Sequence, residues 1–228
     1  MIVGDRTRAL LRAVGELLIT LGVVVLLFVV YELKFTNLYT EQQQKVLGHQ
    51  LEQTWARPPA AKTQLTPFRD GEGFARIYLP TLGKKEVHVV VEGVSHEDLK
   101  KGPGHVPETS LPGALGNVVI SGHRTTYGAP FNRLDELKLG DAIVLETQSY
   151  FYTYRVTTSF VVSPSAVGET FAVPNKPGAI PTLRLLTLTT CNPKYSARER
   201  LVVRSLLEST LHKGPGVVPP ALSPDGGT

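Results

Sequence analysis

LRLLTLTTCNPKYSARER, residues 183–200, decides how the rest of this chain is read. Its first half alternates leucine with threonine, the period-two pattern of a strand with one face turned inward. The apolar run ends on Cys191, the only cysteine in the chain, and Asn192-Pro193 follows at once. Proline removes a ladder donor, so the strand stops there and leaves the thiol at its open end beside a loop. Arg200 then opens a second apolar run, LVVRSLL (201–207), which returns a cation toward the thiol. A lone cysteine is more often an inert core filler, and one that does chemistry needs a partner histidine.

Composition narrows the setting. A chain of 228 residues, 42% hydrophobic and 19% charged, suits one globular domain with a sizeable core plus appendages. The net charge of +4 is spread out: Arg6, Arg8 and Arg12 lie near the N-terminus, and the other cations are interleaved with Asp and Glu. No basic tract with interleaved aromatics is present, which argues against a nucleic-acid partner. A single cysteine rules out an intrachain disulfide and a cysteine-based zinc cluster. No carboxylate cluster with calcium-loop spacing stands out, and neither metal nor cofactor is expected.

Working outward to the N-terminus, AVGELLITLGVVVLLFVV (13–30) carries Glu16 as its only charge. About 18 to 20 helical residues cover the hydrocarbon thickness of a bilayer. The preceding arginines place residues 1–12 in the cytoplasm, 13–31 in the membrane and everything beyond outside the cell. No small-residue cleavage motif follows Val30, so an uncleaved anchor is expected rather than a signal peptide. Residues 39–54 are polar with spaced Val46, Leu47 and Leu51, fitting a short helix, and RPPAAK (57–62) breaks it. Residues 32–70 therefore read as a stalk, and the folded domain is expected to stand without the first 60 residues.

That domain spans 71–211. FARIYLP (74–80), EVHVVVEG (86–93), NVVISGH (117–123), DAIVLET (141–147), YFYTYRVTTSFVV (150–162), the cysteine strand and 201–207 make seven strands. Short helices are expected at 95–101, with Ser95 as N-cap, and within 131–141. Many strands with short connections predict a mostly all-β fold, a closed, antiparallel-rich β-barrel. Residues 212–228, rich in Pro and Gly, read as a disordered tail.

The partner for Cys191 is sought among six histidines. His49 falls in the stalk helix, His88 inside an alternating strand, His96 and His105 in loops and His212 at the tail. His123 alone ends a strand, as Cys191 does. A thiol with an ordinary pKa near 8.5 needs a nearby cation to be thiolate at neutral pH. An imidazole then supplies the acid for a leaving amine, and a guanidinium a donor for an oxyanion. Arg198 and Arg204 compete with Arg200; the first falls in the loop and the second lies four residues, about 13 Å, further along a strand.

SGHR (121–124), TLTTC (187–191) and the arginine nine positions on resemble the signature of sortases, membrane-anchored cysteine transpeptidases of Gram-positive bacteria. HRTTYGAPF (123–131) and TLTTCNPKYSARERLVV (187–203) are most similar to the class E sortases of actinobacteria, and the likeness runs from about residue 74 to 207. The resemblance implies an eight-stranded barrel, one strand more than the pattern count. It implies Cys191 as nucleophile, His123 as proton-transfer partner and Arg200 as oxyanion or substrate contact. Thr190 and Asn192, beside the nucleophile, and Tyr127, after the histidine, are expected to bind substrate.

The implied reaction cuts an LAxTG-type sorting signal between Thr and Gly, holds the protein as a thioester and passes it to a peptidoglycan-precursor amine. Pilus-type relatives carry a lid with an Asp-Pro-aromatic motif; Thr66-Pro67-Phe68 is the nearest match here and lacks the aspartate. Two other readings stay open: a cysteine hydrolase that uses the same three residues but releases product to water, and a non-catalytic, membrane-tethered binding barrel that would tolerate loss of Cys191.

Overall fold

A computed structural model describes residues 2–57 and 68–223. The strands are β1 (Gly73–Tyr78), β2 (Val87–Glu92), β3 (Gly104–His105), β4 (Gly116–Ser121), β5 (Ala142–Glu146), β6 (Tyr150–Val162), β7 (Arg184–Asn192) and β8 (Glu199–His212). They close a barrel in the order β1-β2-β3-β4-β7-β8-β6-β5, with β5 hydrogen-bonded back to β1. All pairs are antiparallel except β2–β3 and β4–β7. The eighth strand, absent from the pattern count, is β3: two residues inside a Gly/Pro-rich stretch are too short to show a period.

Alternation fixes what each strand offers. On β4 and β7, Val118, Ile120, Leu186 and Leu188 point into the barrel core with Ile77, Tyr154 and Val203. Their neighbours Val119, Thr187, Thr189 and Cys191 therefore face the outer wall. Between β2 and β3, Ser95 caps α2 (His96–Leu99): its hydroxyl accepts from Asp98 N, and the Asp98 carboxylate accepts from Ser95 N, both at 3.2 Å. This reciprocal pairing satisfies amides that a short helix otherwise leaves open.

α1 (Ile2–Trp55) is one continuous 54-residue helix, where the sequence suggested an anchor and a separate stalk helix. It is long and apolar enough to cross a membrane, and from Val14 to Val30 its large apolar side chains are 46–70% exposed. Such a surface is what a membrane anchor would present. The last turns behave differently. Leu47 and Leu51 are buried against Val89 and Val91, with Trp55 beside them. Gln44 binds the β2 backbone at both Val89 N (2.7 Å) and Val89 O (3.0 Å). The segment read as a free stalk is thus docked on the barrel. Polar turns with few apolar residues look solvated in sequence, yet Leu47, Leu51 and Trp55 share one face, while Val46 stays exposed.

At the other end, β8 runs through His212, which pairs with Tyr150. Lys213 binds Glu146 at 2.6 Å and lies 3.9 Å from the Trp55 ring, and a 3-10 turn follows at Pro220–Leu222. The region read as a disordered tail thus carries the end of a strand, a turn and contacts to the barrel through residue 223. The spacer 58–62, Thr66-Pro67 of the lid comparison and residues 224–228 lie outside the described residues.

Candidate active site

β7 occupies the centre of the site, between β4 and β8. In the antiparallel β7–β8 ladder Cys191 and Arg200 are direct Cα partners. In the parallel β4–β7 ladder Ser121 pairs with Thr189, and Gly122 N donates to Thr189 O at 3.1 Å. The ladder ends at Ser121, and His123 follows two residues beyond it, on the chain that leaves β4 next to β7. The three residues singled out in the sequence therefore come from the ends of three adjacent strands. Cys191, His123 and Arg200 are all partly buried.

Arg200 Nη1 donates to Ala197 O and to Glu199 O, each at 2.9 Å. Among the described residues its Nε and Nη2 take no protein partner, so donors remain for a substrate oxygen. Arg198 precedes β8. Arg204 is held by Glu169 and by the face of Phe160, 5.2 Å away. Of the three arginines, only Arg200 stands opposite the thiol.

His123 Nε2 is buried without a hydrogen-bond partner among the described residues. Its pKa is pushed below the ordinary 6.5, first by burial, which disfavours the charged ring, and then by the nearby His96. Tyr127 lies against His123 with ring centroids 5.0 Å apart, and His96 meets the other side of Tyr127 edge-on at 5.9 Å. The loop bearing Tyr127 is unusual in backbone: Tyr127, Gly128 and Ala129 have φ of 51°, 72° and 43°. For the two non-glycine residues this left-handed conformation costs on the order of 1 kcal/mol or more each.

Thr190 and Asn192 occupy different positions from Tyr127. Thr190 is buried, and its hydroxyl donates to Gly122 O at 2.8 Å, fastening β7 to the end of β4. Asn192 is held between Arg124, which donates to its Oδ1 at 2.7 Å, and Glu199, which accepts from its Nδ2 at 2.9 Å.

Arg124 itself escaped the sequence reading. It is buried, donates to Cys191 O at 3.2 Å and pairs with Asp135 at 3.0 Å. A charged residue directly after a candidate histidine was the available signal. Gly122, just before it, packs so closely on Phe131 that a Cβ would stand 2.7 Å from the ring.

Below the thiol, the outer wall of β4, β7 and β8 is covered by the β6–β7 connection. Val119, Thr187, Thr189, Arg200 and Val202 form the floor of a cleft of about 170 Å³, and Val167 is part of its opposite wall. The covering loop is anchored by Asn117, wholly buried: its Nδ2 donates to Glu169 O and Phe171 O, and its Oδ1 accepts from Thr187. Of the three candidate residues, Arg200 lines this cleft. Among the described residues no group of His, Cys, Asp or Glu has the geometry of a metal site.

Comparison with known proteins agrees with the closed barrel. Residues 77–208 match the family model described as Sortase domain. Sortase SrtE1 of Streptomyces coelicolor is 37% identical over 200 residues, covering 84% of this chain; the match spans 55% of that relative's length. The structure of sortase E from Streptomyces avermitilis superposes with a TM-score of 0.62 at 39% identity, over 68% of this chain and all of that one. That of SrtF from Corynebacterium diphtheriae gives 0.67 at 31% identity, over 72% and 98%.

Proposed function

The chain belongs to the sortase family, and from that premise we propose that it is a membrane-anchored cysteine transpeptidase acting through Cys191, His123 and Arg200. The observation that carries this is the pairing of Cys191 with Arg200 across β7 and β8, with His123 two residues beyond the end of the neighbouring β4. Residues 13–31 anchor the enzyme in the bilayer, with the barrel outside the cell. The substrate is a protein ending in an LAxTG-type sorting signal. Its last residues lie in the cleft floored by Val119, Thr187 and Thr189.

The electrostatics suit the following steps. A neutral His123, kept so by burial, accepts the Cys191 proton as the sulfur attacks the carbonyl of the signal's threonine. Charge develops on the carbonyl oxygen, where the unengaged guanidinium donors of Arg200 stabilise it. The imidazolium returns its proton to the departing glycine amine, and the C–N bond breaks to leave a thioester on Cys191. An amine of a peptidoglycan precursor then attacks the thioester. Its proton passes through His123 to the thiolate, which restores the enzyme. Arg124, Thr190 and Asn192 hold the two strand ends in register, while Tyr127 flanks the imidazole and the incoming signal.

Mass spectrometry of the protein mixed with an LAxTG peptide, with and without a glycine-based amine, tests this. The expected result is an acyl adduct on Cys191 that is converted to the amide product when amine is present. An adduct released only to water would make the protein a hydrolase, and no adduct at all would overturn the reading.

A further inference from the structure

The membrane helix reaches the active site. Asn37 Oδ1 accepts a hydrogen bond from Gly128 N at 2.9 Å, joining α1 to the loop that follows His123 across 91 residues of sequence. Thr40, one turn on, packs against the same glycine: a Cβ on Gly128 would stand 3.1 Å from Thr40 Cγ2. Gly128 is the middle of three consecutive left-handed residues, and its neighbour Tyr127 lies on the His123 ring. A run of unfavourable φ values persists only where surrounding contacts hold it.

α1 is in turn fixed to the barrel beside that loop. The Thr40 hydroxyl donates to Lys100 O at 2.7 Å, Gln44 donates to Lys101 O at 2.8 Å, and Leu47 and Leu51 are buried against β2. Thr40 and Gln44 thereby tie α1 to the chain just after α2, and His96 of α2 meets Tyr127. A displacement of α1 at Asn37 is therefore passed directly to the turn that seats Tyr127.

We infer that α1 is a positioning element of the reaction as well as an anchor: Asn37 holds the Gly128 turn, which keeps Tyr127 against His123 and so fixes the imidazole relative to Cys191. The inference rests on the proposed role of His123 and adds that its placement depends on a residue of the membrane helix.

The test uses the full chain in detergent micelles, with Asn37→Leu, Asn37→Asp and His123→Ala. Asn37→Leu removes the acceptor while keeping the branched shape and is expected to lower kcat roughly tenfold, leaving KM and Tm near wild type. Its pH–rate profile should shift along the limb set by His123. Asn37→Asp keeps an acceptor oxygen and should restore kcat to within about twofold of wild type. Unchanged kcat and pH profile in Asn37→Leu, beside an inactive His123→Ala, overturns the inference and leaves the catalytic reading intact. A lowered Tm with unchanged kcat, or failure of Asp to rescue, overturns it as well by reducing the contact to packing. An active His123→Ala removes the catalytic reading itself, and the inference with it.

Discussion

Arg124 Nη1 donates to the main-chain carbonyl of Cys191 at 3.2 Å and to the side chain of Asn192 at 2.7 Å, so the residue after His123 grips the backbone on which the thiol is carried. With Asp135 on its other side, this guanidinium satisfies three acceptors from a buried position that an ammonium cannot reproduce. Arg124→Lys is expected to lower kcat/KM at least about tenfold, because the chain at Cys191 is no longer fixed. Thermal and denaturant melts should show a loss of about 1–3 kcal/mol, the usual cost of leaving a buried acceptor unpaired.

The arginines separate by register. Arg200 is the direct partner of Cys191, whereas Arg198 precedes β8. Arg200→Lys should cost about 3 kcal/mol of transition-state stabilisation, on the scale of losing one oxyanion donor, and Arg198→Lys should change kcat/KM less than about threefold. Peptide-cleavage kinetics on both variants check this, and a crippled Arg198→Lys beside a normal Arg200→Lys would reverse the assignment.

His123 gives a signed pH dependence. Its folded pKa is depressed below 6.5, chiefly by burial, so below that pH the unfolded chain binds a proton that the folded chain resists. The contribution to stability is present above pH 6.5 and is lost as the pH falls through the depressed value. Denaturant midpoints measured between about pH 5 and 7 should rise with pH, and His123→Gln should flatten the rise.

His96 lowers the same pKa through its charge. His96→Gln should therefore raise the His123 pKa and move the acid limb of kcat/KM to higher pH, since the ring must be neutral to take the thiol proton. A limb that stays in place would show the two rings to be electrically independent.

Leu51 is 2% exposed, between Leu47, Val89 and Val91. Leu51→Ala should weaken the docking of α1 by roughly 2–3 kcal/mol, read as faster hydrogen exchange in the last turns of α1 and in β2 with little change elsewhere. Removal of residues 1–60 should lower Tm more than removal of 1–36, because only the longer deletion uncovers Val89 and Val91.

The sequence made some of this legible for identifiable reasons. Cys191 stood out because it closes an apolar run that alternates with period two, and His123 because it closes a short, continuous apolar strand. Arg200 opens the next apolar run, and the family resemblance singled it out from Arg198 and Arg204. The docking of α1 did not stand out, because Asn37, Thr40 and Gln44 are polar and sit in a helix whose partners lie 45 to 91 residues away. Arg124 was hidden for the same reason: its contact to Cys191 spans 67 residues. β8 is longer than expected because ESTLH (208–212) pairs with β6 beyond a bulge at Thr153/Tyr154 that no local pattern announces.

The unbroken course of α1 also sets a height. From Tyr31, where the anchor segment ends, to Asn37 beside the catalytic loop is six residues, a climb of about 9 Å at 1.5 Å per residue. On the proposed placement of residues 13–31 in the bilayer, Asn37 stands about 9 Å beyond the hydrocarbon edge, at the depth of the lipid headgroups. The loop that Asn37 holds then lies at the membrane surface, and a substrate has to offer its signal at that depth as well as fit the cleft.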